Sequence, residues 1–243
     1  MLRGLYENAS ALLGLQHQEA LLANNLANQE TPGFLSEAAV FGTYFSTALT
    51  GTGSGPVGSY DMGVAVTGDR VSTVNGTLTV TERPLDVAPA PNVFLTVSTP
   101  AGRAYTRDGA LTVNAAGILT TAAGDPVLGP GGAVIRVGTE AAATINNAGV
   151  VSVNGKPVGQ LGLVTVAGAV APLGTGTTYR PATGARVTPG GQVTPGALVL
   201  SNVNAASGLS GLAELVGWYQ ANEESAHTIA QVFNTFLSTG VNP

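Results

Sequence analysis

Both ends of this chain repeat apolar or small side chains at three- and four-residue intervals while the stretch between them does not, and that asymmetry admits few folds. The series Leu2, Tyr6, Ala9, Leu13, Ala20, Ala23, Ala27 is broken only by Gln16, which is one face of an α-helix. Leu5, Leu12, Leu15, Leu22 and Leu26 widen the apolar surface beyond a single seam, so this helix needs cover on more than one side. Thr31-Pro32-Gly33 stops it. At the other end Leu209, Leu212, Val216, Tyr219, Ala226, Ala230, Phe233 and Leu237 keep the same spacing, with Ile229 beside them and Glu223 as the one interruption. Asn204 or Ser207 suits the start of that helix and Gly240 its end. Interior Gly14, Gly211 and Gly217 each cost roughly 1 kcal/mol relative to Ala, so neither helix is robust alone.

Charge sharpens the picture. Residues 1–37 hold Glu7, Glu19, Glu30 and Glu37 against Arg3, and residues 207–243 hold Glu214, Glu223 and Glu224 with no base. Two acidic helices are expected to pair through their apolar stripes as a coiled coil, because their charges repel.

From about Gly63 to Leu200, short alternating apolar runs are punctuated by Gly, Asn and Pro roughly every ten residues, the pattern of an antiparallel β domain. Asn154-Gly155 predicts a two-residue hairpin turn. Asn75-Gly76 predicts another, pairing Val74 with Thr77 and placing Val71, Thr73, Leu78 and Val80 on one face. Residues 50–59 read as a Gly-rich linker. The expected fold is therefore mixed α and β: an N-terminal helix in 1–30, an extended segment and linker in 31–62, a central mostly antiparallel β domain in 63–200, and a C-terminal helix in 201–243.

Little here supports catalysis. Charged residues are 9% of the chain, against about 25% in ordinary globular proteins. With no cysteine and only His17 and His227, no metal or cofactor site is expected. Gly51 and Gly53 lack the third glycine of a dinucleotide loop because Pro56 stands there, and Gly155-Lys156 is followed by Pro157 rather than Ser or Thr. Asp61, Asp69, Asp86, Asp108 and Asp125 all flank turn residues, where carboxylates satisfy backbone N–H groups. Asp108-Gly109 is expected to supply a turn with unusual backbone angles, held by Arg107. One lysine and eight scattered arginines at a net charge of −5 offer no stripe for nucleic acid. The apolar run Leu161 to Ala171 is too short to span a bilayer. Glu7 and the run Gln16-His17-Gln18-Glu19 interrupt what a cleavable signal peptide would need as its apolar region.

One segment is specific. Ala23-Asn24-Asn25-Leu26-Ala27-Asn28-Gln29-Glu30-Thr31-Pro32-Gly33-Phe34 resembles the amino-terminal signature of bacterial flagellar axial proteins, the rod, hook and hook-associated families. Arg83-Pro84-Leu85-Asp86-Val87-Ala88 agrees with the same pattern, as does Tyr105-Thr106-Arg107-Asp108-Gly109 continuing to Leu128-Gly129. So does Ser201-Asn202-Val203-Asn204, followed by Tyr219-Gln220-Ala221-Asn222. These segments reach both ends and the centre, and the length resembles rod proteins rather than the longer hook protein. Pro89-Ala90-Pro91-Asn92 stands where the family often has a glycine-rich Gly-x-Gly-Phe-Phe, which leans toward the proximal-rod type over the distal; Val216-Gly217-Trp218 replaces the usual Gln-Arg before the tyrosine.

The resemblance implies a structural, non-enzymatic rod subunit. It would be exported without a cleaved signal by the flagellar export apparatus into the periplasm or cell-wall layer. It would assemble there with copies of itself and other rod and hook proteins, without spanning the membrane. The expected assembly residues are Leu2, Leu5, Tyr6, Leu12, Leu13, Leu26, Leu209, Leu212, Val216, Tyr219, Ile229, Phe233 and Leu237. The motif residues are Asn24, Asn25, Leu26, Asn28, Thr31, Gly33, Phe34, Tyr105, Arg107, Gly109, Ser201, Asn202 and Val203. The rival reading is a binding module whose β domain takes a cell-wall glycan or a peptide while the helices dimerise.

Overall fold

In a computed structural model, the described residues are 2–50, 56–138 and 143–240. They divide between two compact units. One comprises Met1–Ala23, Ala38–Asp69 and Ala205–Pro243, the other Asn24–Glu37 and Arg70–Asn204.

The first unit is built on the two expected helices, α1 (Leu2–Ala27) and α2 (Ala205–Gly240). Asn204 stands immediately before α2, where a capping side chain is favoured. Between the helices in sequence come two long strands, β1 (Glu37–Thr50) and β2 (Pro56–Val71), which pair as a two-stranded ribbon. The stretch read from sequence as an extended segment and linker is thus largely strand; of the Gly-rich 50–59 run, residues 51–55 lie outside the described residues. Tyr44, Phe45, Val57 and Tyr60 within it are strand formers, and strands of this length override the local glycines. His17 on α1 meets β2 through its Nε2, 2.6 Å from Asp69 Oδ1.

The second unit is β throughout its interior. Six strands lie side by side, all neighbours antiparallel, in the order Val170–Pro172, Thr178–Pro181, Gly102–Thr106, Val93–Thr99, Leu163–Ala167, Arg186–Pro189. Successive side chains of a strand point to opposite faces, and Val93–Thr99 uses both. Val93, Leu95 and Val97 enter one core with Val87, Leu111, Leu119, Val127, Val151 and Leu161, while Phe94 enters a second with Leu35, Val166 and Tyr179.

Asn154-Gly155 does form the expected hairpin. Val153 faces Lys156 across it, with Asn154 at φ 50° and Gly155 at φ 77°, the left-handed angles that a type I′ turn demands. Asn75-Gly76 does not. Leu78–Val80 pairs instead with Ala197–Val199, and the Asn202 side chain holds the chain before the turn by donating to the carbonyls of Ser72 and Val74, at 2.9 and 2.8 Å. Gly76 is needed because its backbone presses on the Leu200 carbonyl, where a β-carbon would overlap. A long-range partner has outcompeted a local turn.

Candidate assembly surface

The helices of the first unit run antiparallel, since contacts descend along α2 as they climb α1. Gly4 faces Ile229, Asn8 bonds with Ser225 and accepts from Asn222, Glu19 accepts from the Tyr219 hydroxyl at 3.2 Å, and Leu22 faces Gly211. Along this seam a glycine of one helix meets a larger side chain of the other, Gly4 against Ile229 and Gly211 against Leu22. A β-carbon at Gly4 would come within 3.0 Å of Ile229, and one at Gly14 within 3.1 Å of Phe41 on β1. Among the described residues two large apolar side chains of the helices are buried, Leu21 and Leu215, and neither was expected as a site residue.

The predicted stripe of α1 faces outward. Tyr6 is 75% exposed and Leu13 67%, with Ala9, Ala20, Ala23 and Ala27 exposed along the same line. On α2, Leu209, Val216 and Phe233 are exposed, and Trp218, Val232 and Phe236, unforeseen as site residues, join them. Leu12 is also exposed, whereas Leu26, Leu212, Tyr219 and Ile229 are half-buried. The side chains of Leu2, Leu5 and Leu237 lie outside the described residues. The helices therefore meet through their stripes only in part: Tyr219 of the α2 stripe, with Ile229 beside it, reaches α1, while Tyr6 and Leu13 of the α1 stripe stay exposed. Gly4 and Gly211 leave room for Ile229 and Leu22, and Asn8 bonds across to Ser225 and Asn222, while Tyr6, Leu13, Leu209 and Val216 stay exposed.

An ordinary soluble helix pair turns most of its large apolar residues inward. Nine large apolar side chains of the described helices are exposed. Covering them would release about 15–25 kcal/mol gross, at roughly 1.5–3 kcal/mol per side chain. Exposed apolar surface on this scale marks a place for another chain.

The motif residues behave differently, because they converge within the β unit as a tie. Asn25 pairs with the Glu37 backbone in both directions, donating Nδ2 to its carbonyl at 2.7 Å and accepting from its N–H at 2.9 Å. Asn28 donates to the Asn24 carbonyl and accepts from the Thr31 hydroxyl, closing the helix end. Gly33 sits at φ 72°, donates to the Val199 carbonyl, and lies so near the backbone of Arg107 and Asp108 that a β-carbon would overlap it. Phe34 is fully buried, and the next N–H, of Leu35, donates to the Tyr179 hydroxyl at 2.8 Å. Asn202 accepts from the Ser36 N–H at 2.6 Å, while Ser201 accepts from the Val203 N–H. Tyr105 is half-buried and packs on the second core.

Arg107 is buried with its guanidinium 5.6 Å from the Phe94 ring and one hydrogen bond, to the Pro89 carbonyl at 3.2 Å. Burial pushes its pKa down. Asp108-Gly109 is not the expected turn of unusual angles, since Gly109 is outside the left-handed region. Its backbone instead lies flush against Val87, whose carbonyl a β-carbon would overlap. Arg107 and Gly109 are thus packing residues.

Asp108 accepts from the Ala110 N–H at 3.0 Å, in keeping with the turn-capping role read from the sequence. Burial, helped by the Asp86 carboxylate, pushes it up to about 6 from an ordinary 3.8. The folded state then holds a proton that the unfolded state releases, so this group favours folding most below pH 4 and loses that contribution as pH rises through 6. Asp108→Asn keeps the acceptor and removes the charge. It is expected to stabilise the β unit by about 1–3 kcal/mol at pH 7.5, with the gain vanishing at pH 4, as urea melts at the two pH values will read.

The remaining carboxylates include Asp86, which accepts from the Thr81 hydroxyl at 2.7 Å, and Asp69, already paired with His17; the Asp61 side chain lies outside the described residues. Among the described residues no three of His, Asp and Glu gather as a metal site, and no helix is long and apolar enough to cross a membrane.

The family model for the flagellar hook protein FlgE/F/G D1 domain matches residues 92–153, which include Arg107 and Gly109. The flagellar basal-body rod protein FlgF of Caulobacter vibrioides is 36% identical over 66% of this chain, and the chain spans 64% of that relative's length. The rod protein FlgF of Escherichia coli is 32% identical over 72% of this chain and 70% of its own. The rod protein FlgG of Bacillus subtilis is 31% identical over 69% and 68%. Identity above 30% across more than two thirds of the last two, together with the tie of signature residues, shows that this chain belongs to the flagellar basal-body rod proteins.

Proposed function

We propose that this chain is a structural subunit of the flagellar rod, polymerising through its terminal helices into part of the shaft that transmits rotation. The observation that carries this is the set of large apolar side chains that the helical unit leaves exposed, among them Tyr6, Leu13, Leu209, Val216 and Phe233. In this reading the helical ends, 1–30 and 201–243, form the inner assembly domain and stack as a coiled coil against neighbouring subunits.

Head-to-tail contacts that do not close on themselves generate a helical tube. Marginal helices also suit coupled folding and assembly, because ordering is repaid only where a partner covers the stripe. A chain without cysteine passes unfolded through an export channel with no disulfide to break, which supports delivery by the flagellar export apparatus into the periplasm or cell-wall layer without a cleaved signal.

The absence of cysteine also makes a clean test. Val216→Cys introduces a single thiol on the outward face, and a bifunctional cross-linker applied to isolated basal bodies is expected to join it to an adjacent rod subunit. Recovery of the variant in basal bodies with the thiol freely alkylated and no cross-linked neighbour would refute the assembly role of this face.

A further inference from the structure

One face of the six-stranded sheet is covered only in part. Residues opposite each other on antiparallel strands share a face, so Phe94, Thr96, Tyr105, Val164 and Pro189 lie on the same side, that of the second core. Leu35 and Val71 pack there with Phe94. Toward Thr96 the face opens into a groove of about 410 Å³, within the range of about 300–1,000 Å³ usual for small-molecule sites. Three polar side chains lining it lack partners. Thr96 is only 5% exposed, yet its hydroxyl makes no hydrogen bond among the described residues, and neither does the hydroxyl of Tyr105. Arg103 is exposed and has no hydrogen bond or ion pair among them. Its guanidinium stands over the turn closed by the Gly132 N–H on the Gly129 carbonyl, where a β-carbon at Gly132 would come within 2.7 Å of Arg103 Nη2.

Arg103 is the one charged residue lining the groove, and Val164, Val187 and Pro189 form an apolar wall. The geometry points to a binding site for a carboxylate-bearing sugar. A lone guanidinium with no acid beside it matches a single carboxylate, which its planar fork can hold through two hydrogen bonds. A ligand rich in phosphate would need further cations, and a wholly apolar one would leave the Thr96 and Tyr105 hydroxyls unpaired. A sugar ring meets both demands, because its hydroxyls pair with Thr96 and Tyr105 while its C–H face lies on Val164, Val187 and Pro189. The site lies wholly within the β unit, so it is independent of the assembly role proposed for the helices.

The test titrates the isotope-labelled full chain with two pairs of sugars and follows its amide resonances. N-acetylmuramic acid is set against N-acetylglucosamine, and glucuronic acid against glucose, so that each acid has a neutral counterpart. At about 50 mM salt an acid is expected to bind about fivefold more tightly than its counterpart, a gap that narrows at about 500 mM. The pair that shows the gap separates an acidic amino sugar from a uronic acid as the source. Arg103→Gln is expected to erase the gap and keep the affinity for the neutral sugar. Thr96→Val is expected to weaken both members of that pair by about fivefold. Both variants should melt in urea like the wild type, since neither side chain has a hydrogen bond to lose. Equal binding of acid and neutral sugar, a gap that survives Arg103→Gln, undiminished binding by Thr96→Val, or no binding of any of the four sugars overturns the site. None of these outcomes bears on assembly, which cross-linking in basal bodies reads separately.

Discussion

Replacing Gly109 with alanine is expected to unfold the β unit at ambient temperature. The new β-carbon has nowhere to go, because the Val87 carbonyl oxygen already occupies its place and the Val87 N–H donates to Gly109's own carbonyl at 3.0 Å. Relief requires parting two backbone segments that anchor the larger core, where Val87 and Leu111 are fully buried. Losing those hydrogen bonds and opening the core should cost about 4 kcal/mol or more, against a total stability of about 5–15 kcal/mol for a domain. Gly176→Ala, where nothing lies within 4 Å of the added carbon, serves as the control and should melt like the wild type. Urea titration followed by far-ultraviolet circular dichroism reads both. A midpoint for Gly109→Ala indistinguishable from the control's would show that the close approach is not what the glycine is for.

The second large effect is on assembly and spares the fold. Val216→Asp with Phe233→Asp is expected to abolish incorporation into the rod, and with it motility, while leaving the melting of the β unit unchanged. Both side chains are exposed, so the isolated protein loses little. A covered face loses about 1.5–3 kcal/mol per apolar group and must also desolvate two carboxylates at several kcal/mol each. The apolar loss alone, up to about 6 kcal/mol, lowers association by about four orders of magnitude, and the buried carboxylates add to it. Quantifying the variant in purified basal bodies decides the matter, and incorporation at wild-type level would remove this face from the assembly mechanism.

The predictions differ in what sequence alone could support. Asn24 to Phe34 is a recognisable string, yet nothing in its spacing says that Asn25 grips the Glu37 backbone or that Gly33 presses on Arg107 and Asp108. The partners are far away in the chain or use main-chain atoms, which leave no mark on residue type. Leu21 and Leu215 were missed because both helices are apolar over more than one face, so no single stripe stands out as the buried one. The ribbon of β1 and β2 was missed because glycine and threonine around residue 50 signal a loop locally, while the strands on either side owe their form to each other.

From the amino-acid string come the two helices and their stops, the β character of the centre, the Asn154-Gly155 hairpin and the family resemblance. All of these rest on local backbone preference or on short-range periodicity. Only the tertiary structure decided which side of each helix faces out. A stripe has the same period whether it is covered by its own chain or left for another, and the choice was made by which side of each helix the other helix and the β1–β2 ribbon came to lie against.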